Sequence, residues 1–270
     1  MTILEDIKQE LIKIHTSTHY VVYFDILGAK ELINSKDSEL YLNYINSLYN
    51  DTIKGLKSLY AEINNVEIKF KIFSDNIIIA IPKTEGANSA KESIKRDLIV
   101  EIAAYFQVLA YKYSLLTRGS VVIGDLYLDN NFVYGKALTR AYELESKVAI
   151  YPRIVVDEKY SDIFKMSQYI RKFIYKDSDG VEYLNSFECY FDIAKIYKED
   201  EIKHIRQILW SKLKDSNPTV VNQKIFWLIN IFNQFCLNND LEKYVLDVDK
   251  LPKFIDIFNK FFENAEKIES

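Results

Sequence analysis

Two aspartates define the chemistry open to this chain. Asp25 ends the apolar run Tyr20-Val-Val-Tyr-Phe24, three residues before Gly28. Asp75 lies in Ser74-Asp75-Asn76, between the alternating stretch Val66–Phe73 and the apolar run Ile77-Ile-Ile-Ala-Ile81. Both stand where a buried strand reaches its end. A charge in such a place costs several kcal/mol unless it is neutralised, and a divalent cation would neutralise it. Asp25 taken alone could equally cap the helix that follows Gly28. The second carboxylate changes the balance. Paired carboxylates about 4–6 Å apart repel strongly unless one is protonated or a cation lies between them. Mg²⁺ and Mn²⁺ accept a few carboxylate oxygens together with phosphate oxygens, so the pair points to an enzyme acting on a nucleotide.

The elements that must hold this pair can be read from hydrophobic periodicity. A strand over about 19–26 carries Asp25. Leu40, Tyr41, Tyr44, Ile45, Leu48, Tyr49, Ile53, Leu56 and Leu59 recur at helical spacing and predict a helix over 37–63. Residues 66–73 alternate strictly, with Glu67, Lys69 and Lys71 opposite Val66, Ile68, Phe70 and Ile72. A short turn through Asp75 then makes a hairpin with strand 77–81. A second long helix spans 90–115, and Arg118–Leu128 is a strand. A turn at Asp129-Asn-Asn131 leads to a short strand at 132–134. A helix at 136–145 and a strand at 154–156 complete the set. The order β-α-β-β-α-β-(β)-α-β implies an α/β (α+β) fold: a ferredoxin-like βαββαβ core around an antiparallel sheet. Residues 159–270 follow as a mixed, then mostly helical extension, with helices over 198–214, 218–238 and 250–266 whose aromatic residues serve packing. The domain division is thus 1–158 and 159–270, and a short amphipathic helix is expected at 3–15.

Composition excludes several classes. The chain has 270 residues, 49% hydrophobic and 27% charged, with a net charge of −4 and no basic stripe, which disfavours a nucleic-acid partner. No apolar run approaches the ~20 residues of a membrane helix, and the charged N-terminus is no signal peptide. A soluble, cytoplasmic protein is expected. Cys189 and Cys236 lack a CxxC spacing and read as buried free thiols. His15, His19 and His204 show no zinc-binding spacing, and no GxSxG, Walker A or GxGxxG motif occurs.

Four segments occur in order: Phe24-Asp25-Ile-Leu-Gly28, Lys71-Ile-Phe-Ser-Asp75, Arg118-Gly-Ser-Val-Val-Ile-Gly124 and Tyr134-Gly135-Lys-Ala-Leu-Thr-Arg-Ala141. Together they resemble the catalytic domain of class III nucleotidyl cyclases over about 18–158. The bacterial branch that makes cyclic pyrimidine nucleotides in anti-phage (Pycsar) defence is the closer likeness. The resemblance implies that Asp25 and Asp75 bind two Mg²⁺ or Mn²⁺ ions, with a backbone carbonyl from Ile26. It implies that Leu27, Gly28, Ala29 and Lys30 wrap the phosphates and that Arg118 reaches phosphate. Lys71 and Phe132 fall at base-reading positions, and Phe132 cannot make the polar contact that reads a purine. Thr139 and Glu143 replace the family's asparagine and arginine, so either Lys136 or Arg140 supplies that positive charge or the site differs from the family's. A homodimer with sites at its interface is implied, with a separate cyclic-nucleotide effector downstream. The expected reaction converts UTP, or next CTP, to the 3′,5′-cyclic monophosphate and pyrophosphate. Two other readings remain beside it: a cyclase-fold nucleotide sensor without catalysis, and a dimerisation domain with incidental aspartates.

Overall fold

A computed structural model describes residues 14–59, 66–84, 89–194, 199–215 and 220–247. The expected helix over 250–266, and nearly all of the one over 3–15, lie outside the described residues.

Strand β1 (Ser17–Ile26) is the centre of the molecule. It pairs antiparallel with β3 (Asn76–Pro82) on one side and β4 (Thr117–Leu128) on the other. Its side chains therefore divide between two apolar layers. Tyr20, Val22, Phe24 and Ile26 enter one core, and Val21 and Tyr23 enter another on the opposite face. The continuous run 20–24 is the sequence signature of burial on both faces.

The first core is covered by two long helices, α2 (Ser38–Leu59) and α3 (Ser89–Lys112); a five-residue helix, α1 (Ala29–Ile33), precedes them. The second is closed by α4 (Lys136–Lys147) through Ala137, Ala141 and Leu144. Gly135 has φ 145°, and a Cβ there would lie 2.3 Å from the Asp125 carbonyl oxygen; glycine alone lets α4 begin this tightly against β4.

Among the described residues the sheet has eight strands, in the order β2 (Lys69–Phe73), β3, β1, β4, β6 (Ile154–Val156), β8 (Glu182–Leu184) and β7 (Ile174–Lys176), with β5 (Val133–Tyr134) paired to β4. It is antiparallel apart from the β4–β6 pair. β2 (Lys69–Phe73) is shorter than the alternation over 66–73 suggests, although Val66 and Ile68 still pack on the core. Beyond β6 (Ile154–Val156) come two short helices, α5 (Ser161–Lys165) and α6 (Gln168–Arg171). Then β7 (Ile174–Lys176) and β8 (Glu182–Leu184) extend the same sheet.

Three further helices, α7 (Ser186–Ala194), α8 (Glu199–Asp215) and α9 (Val220–Asn238), build a third core with Phe187, Ile205, Leu228 and Phe232. Val108 and Tyr111 of α3 belong to it, so the stretch of α3 from Leu98 to Tyr111 is apolar nearly all round because it separates two cores. Trp210 and Trp227 pack there too, as their spacing suggests. Cys189 and Cys236 are free and buried, and burial pushes the Cys236 thiol up to about 12. Among the described residues, no helix is long and apolar enough to cross a membrane.

Candidate active site

The antiparallel register brings the two aspartates together. Asp25 lies opposite Asn76 on β3 and opposite Arg118 on β4. The β2–β3 turn consists of Ser74, at φ 55°, and Asp75. The Ile26 N–H donates to the Asp75 carbonyl at 3.1 Å, which fastens the hairpin tip to the end of β1. Asp75 is aimed by a relay: the Tyr23 hydroxyl donates to Asn76 Oδ1, and Asn76 Nδ2 donates to Asp75 Oδ1 at 3.1 Å. Asp25 does not cap the next helix. Gly28 occupies that position at φ 78°, with no side-chain cap.

Arg118 Nε lies 3.2 Å from Asp25 Oδ2 and 2.6 Å from Glu145 Oε1. The N–H donates to Asp25, while Glu145 Oε1 makes an ion pair with the same nitrogen and accepts no hydrogen bond. Burial raises the Asp25 pKa and the Asp75 charge adds to it, against the pull of Arg118 and Lys224. Burial likewise raises Glu145 to about 7, opposed by Arg118 and increased by Asp25 and Asp75. Lys224, half-buried on α9, is lowered by burial and by Arg118, against the attraction of Asp25 and Glu145. Leu27 packs on the same third core as α9, which places the C-terminal helices at this end of the sheet.

Three carboxylates thus face two cations. Asp25 and Asp75 offer hard oxygen atoms of the kind Mg²⁺ or Mn²⁺ accepts, and the desolvated Asp25 carboxylate is the one a cation relieves most. These two residues fit a divalent ion, provided that Arg118 turns from Asp25 toward Glu145. Among the described residues, no group of three or more His, Cys, Asp or Glu is arranged around a common point.

The remaining expected residues are placed as follows. Leu27 donates its N–H to the Leu116 carbonyl at 2.8 Å, and Ala29 is buried. Gly28 is exposed, with nothing within 4 Å of where a Cβ would sit, so the turn is open to a ligand. The helix behind it has only five residues, so the turn has little helix dipole to offer an anion. Lys71 reaches across to the β4–β5 turn, where Nζ donates to the Asn130 carbonyl at 2.6 Å. Phe132 is on the same turn, 46% exposed, with its ring 5.1 Å from Tyr127. Lys71 and Phe132 are therefore brought together.

Lys136 and Arg140 are not brought to Asp25 within one chain. Lys136 is exposed beside Asp125, in a groove of about 430 Å³ shared with Thr16, Tyr134 and Thr139. Asp125 pairs with Thr18, seven residues along β1 from Asp25 or roughly 20 Å. Arg140 makes a two-pronged contact with the fully buried Asp157, Nη2 to Oδ1 at 2.8 Å and Nε to Oδ2 at 3.2 Å.

Glu145 and Lys224 are charged neighbours of Asp25 that sequence reasoning missed. Glu145 had a signal: it follows Ala137, Ala141 and Leu144 on the buried face of α4, and a carboxylate in an apolar stripe needs a partner. Lys224 had none. Glu145 also carries a pH prediction. Its folded-state pKa is raised, so its stabilising share is fully present below about pH 4.5 and is lost as pH rises through about 7. Glu145→Gln should flatten that slope and raise stability at pH 8, without metal, by up to about 3 kcal/mol. Denaturant melts at pH 6 and pH 8 check this, and an unchanged slope contradicts it.

No protein-family model matches the chain, and no curated protein sequence is similar to it. Among the solved structures similar in shape, two serve as examples. The crystal structure of a guanylyl cyclase has a TM-score of 0.42 and 9% identity, covering 64% of this chain and 93% of that one. A class III adenylyl cyclase-like ATP-binding protein from Pseudomonas aeruginosa has a TM-score of 0.44 and 14% identity. That match covers 74% of this chain and 44% of the other, so this chain spans less than half of that protein. At such levels the assignment rests on the site itself.

Proposed function

We propose that the chain is a metal-dependent nucleotidyl cyclase that converts UTP, and less readily CTP, to the 3′,5′-cyclic monophosphate and pyrophosphate. The observation that carries this reading is the Asp25–Asp75 pair, held at adjacent strand ends by the bond from the Ile26 N–H to the Asp75 carbonyl. Mg²⁺ or Mn²⁺, two ions per site in this reading, supplies charge that lowers the pKa of the ribose 3′-hydroxyl and neutralises the triphosphate. Asp25 and Asp75 would hold it, with the Ile26 carbonyl. Arg118 would leave Asp25 for a phosphate oxygen while Glu145 keeps its orientation. The open turn at Leu27, Gly28 and Ala29 would offer the Gly28 and Ala29 backbone N–H groups to the phosphates, while the Leu27 N–H, held by the Leu116 carbonyl, would anchor it.

The base preference is supported by Lys71 and Phe132. The ammonium group already donates to carbonyl oxygens, and a uracil presents two carbonyls where cytosine presents one and an amino group. The Phe132 and Tyr127 rings offer a stacking surface.

A homodimer completes the proposal. Phe132, Tyr134, Tyr142 and Ile150 are exposed at 46–69% around α4, a surface suited to a second copy. Lys136 of the partner subunit would then be the cation available to developing charge, and Arg140 of the partner subunit could serve only by releasing Asp157. The cyclic product would act on a separate effector in cytoplasmic anti-phage defence, as the sequence resemblance implies. The engagement of Arg140 by Asp157 favours one alternative, a cyclase-fold nucleotide sensor without turnover.

Incubation of the protein with Mn²⁺ and each of ATP, GTP, CTP and UTP, with products read by mass, separates these. Cyclic UMP in excess over cyclic CMP is expected, with no purine product. Tight nucleotide binding without turnover would support the sensor instead.

A further inference from the structure

The hydroxyl of Tyr41 is buried and has no hydrogen-bond partner. Tyr41 stands in the first turn of α2, 5% exposed, and its ring packs in the core that contains Ile26 and Ala29, the residues on either side of the Leu27-Gly28 turn. A buried hydroxyl without a partner costs stability, and phenylalanine would fill the same space without that cost. Tyr244 shares this feature, but in the third core among the C-terminal helices; other buried tyrosines do not carry it. Tyr23 donates to Asn76, Tyr111 to the Pro152 carbonyl at 3.0 Å and Tyr190 to Glu201 at 3.0 Å. Burial pushes the Tyr41 hydroxyl up to about 12 and the charges of Asp75 and then Asp25 add to it, yet neither carboxylate accepts from it.

We propose that Tyr41 Oη is a ligand-binding donor of the Asp25–Asp75 site, hydrogen-bonding to an oxygen that the bound ligand brings between them. That oxygen is a cation-bound water or a phosphate oxygen; both present the same acceptor. The inference rests on the reading of Asp25 and Asp75 as cation ligands, and it adds a residue that neither the motifs nor the strand pattern contains. An oxygen at this point satisfies the stranded hydroxyl and lies beside both carboxylates. The donor is built into the free protein, so the stability lost there is recovered on binding.

The test is Tyr41→Phe in the full-length chain. In metal-free buffer the variant should melt at the wild-type temperature or above it, because no bond is lost; a clearly lower melting temperature means the hydroxyl is already bonded and overturns the proposal. Mn²⁺ binding is then followed by the spin-resonance signal of the free ion, with Mn²⁺ alone and with Mn²⁺ plus UTP. The variant should bind about tenfold more weakly. A loss already seen with Mn²⁺ alone assigns the oxygen to water, and a loss seen only with UTP assigns it to phosphate. Equal affinity of the two proteins in both arms overturns the proposal and leaves the functional reading intact. Wild-type protein that binds neither Mn²⁺ nor Mn²⁺–UTP overturns both.

Discussion

Asp25→Asn should abolish cyclisation, lowering the rate at least roughly a thousandfold, while leaving the fold intact. The two halves of this expectation have one cause. Asp25 is a carboxylate that the fold partly desolvates, so its charge is disfavoured until a cation arrives. Asparagine keeps the shape, removes the charge and leaves Arg118 its shorter contact, at 2.6 Å, with Glu145. The metal-free variant should therefore melt no lower than wild type, and its melting temperature should stop responding to added Mn²⁺. The sign with pH follows. The raised Asp25 pKa means that wild-type stability declines as pH rises through it, and the variant lacks that share of the decline. Product assays and thermal melts with and without Mn²⁺ check both. Retained activity would remove Asp25 from the site, and a large loss of stability would make it a structural residue.

Arg153→Leu should be the most destabilising single change among the described ion pairs, by about 3 kcal/mol or more. The Arg153 side chain is fully buried. Its Nη1 donates to Asp177 at 2.6 Å and to Asp179 at 3.1 Å, and Nη2 donates to Asp179 and to the Val148 carbonyl. Asp177 also accepts from Trp227 Nε1 at 2.7 Å, and the Trp227 ring stacks on Tyr151. One guanidinium thus joins β6, the turn before β8 and helix α9. Leucine fills the space but strands Asp177, whose side chain is only 15% exposed, beside an apolar neighbour. Arg153 also holds the Asp179 carboxyl below its usual range, a contribution present above pH 4 or so and lost as pH falls through the lowered pKa. Urea melts at pH 7 check the loss. A change below about 1 kcal/mol would mean that the turn relaxes into water.

The central strands were legible because burial on both faces leaves uninterrupted apolar runs: 20–24 and 77–81 became β1 and β3. The Asp25–Asp75 pairing was legible for the same reason, since a hairpin with a central second arm puts its tip beside the end of β1. The three-residue strands β7 and β8 were not, because they are too short for a period, and the hairpin they form joins the sheet only through β6, about 30 residues before β8. Arg153 gave no sign of burial, because its partners come from a turn that reads as solvent-exposed. Lys224 lies nearly two hundred residues from Asp25, and Tyr41 is one aromatic among several at helical spacing. Chain-distant charges and a missing hydrogen bond exist only in three dimensions.

The most direct measurement is the anomalous scattering of Mn²⁺ in crystals grown with Mn²⁺ and 3′-deoxy-UTP, which lacks the attacking hydroxyl. The predicted result is a peak at about 2.2 Å from a carboxylate oxygen of both Asp25 and Asp75, with a phosphate oxygen beside it and Arg118 no longer bonded to Asp25. Nucleotide bound without a peak between the two aspartates, or a peak elsewhere in the molecule, would contradict the account.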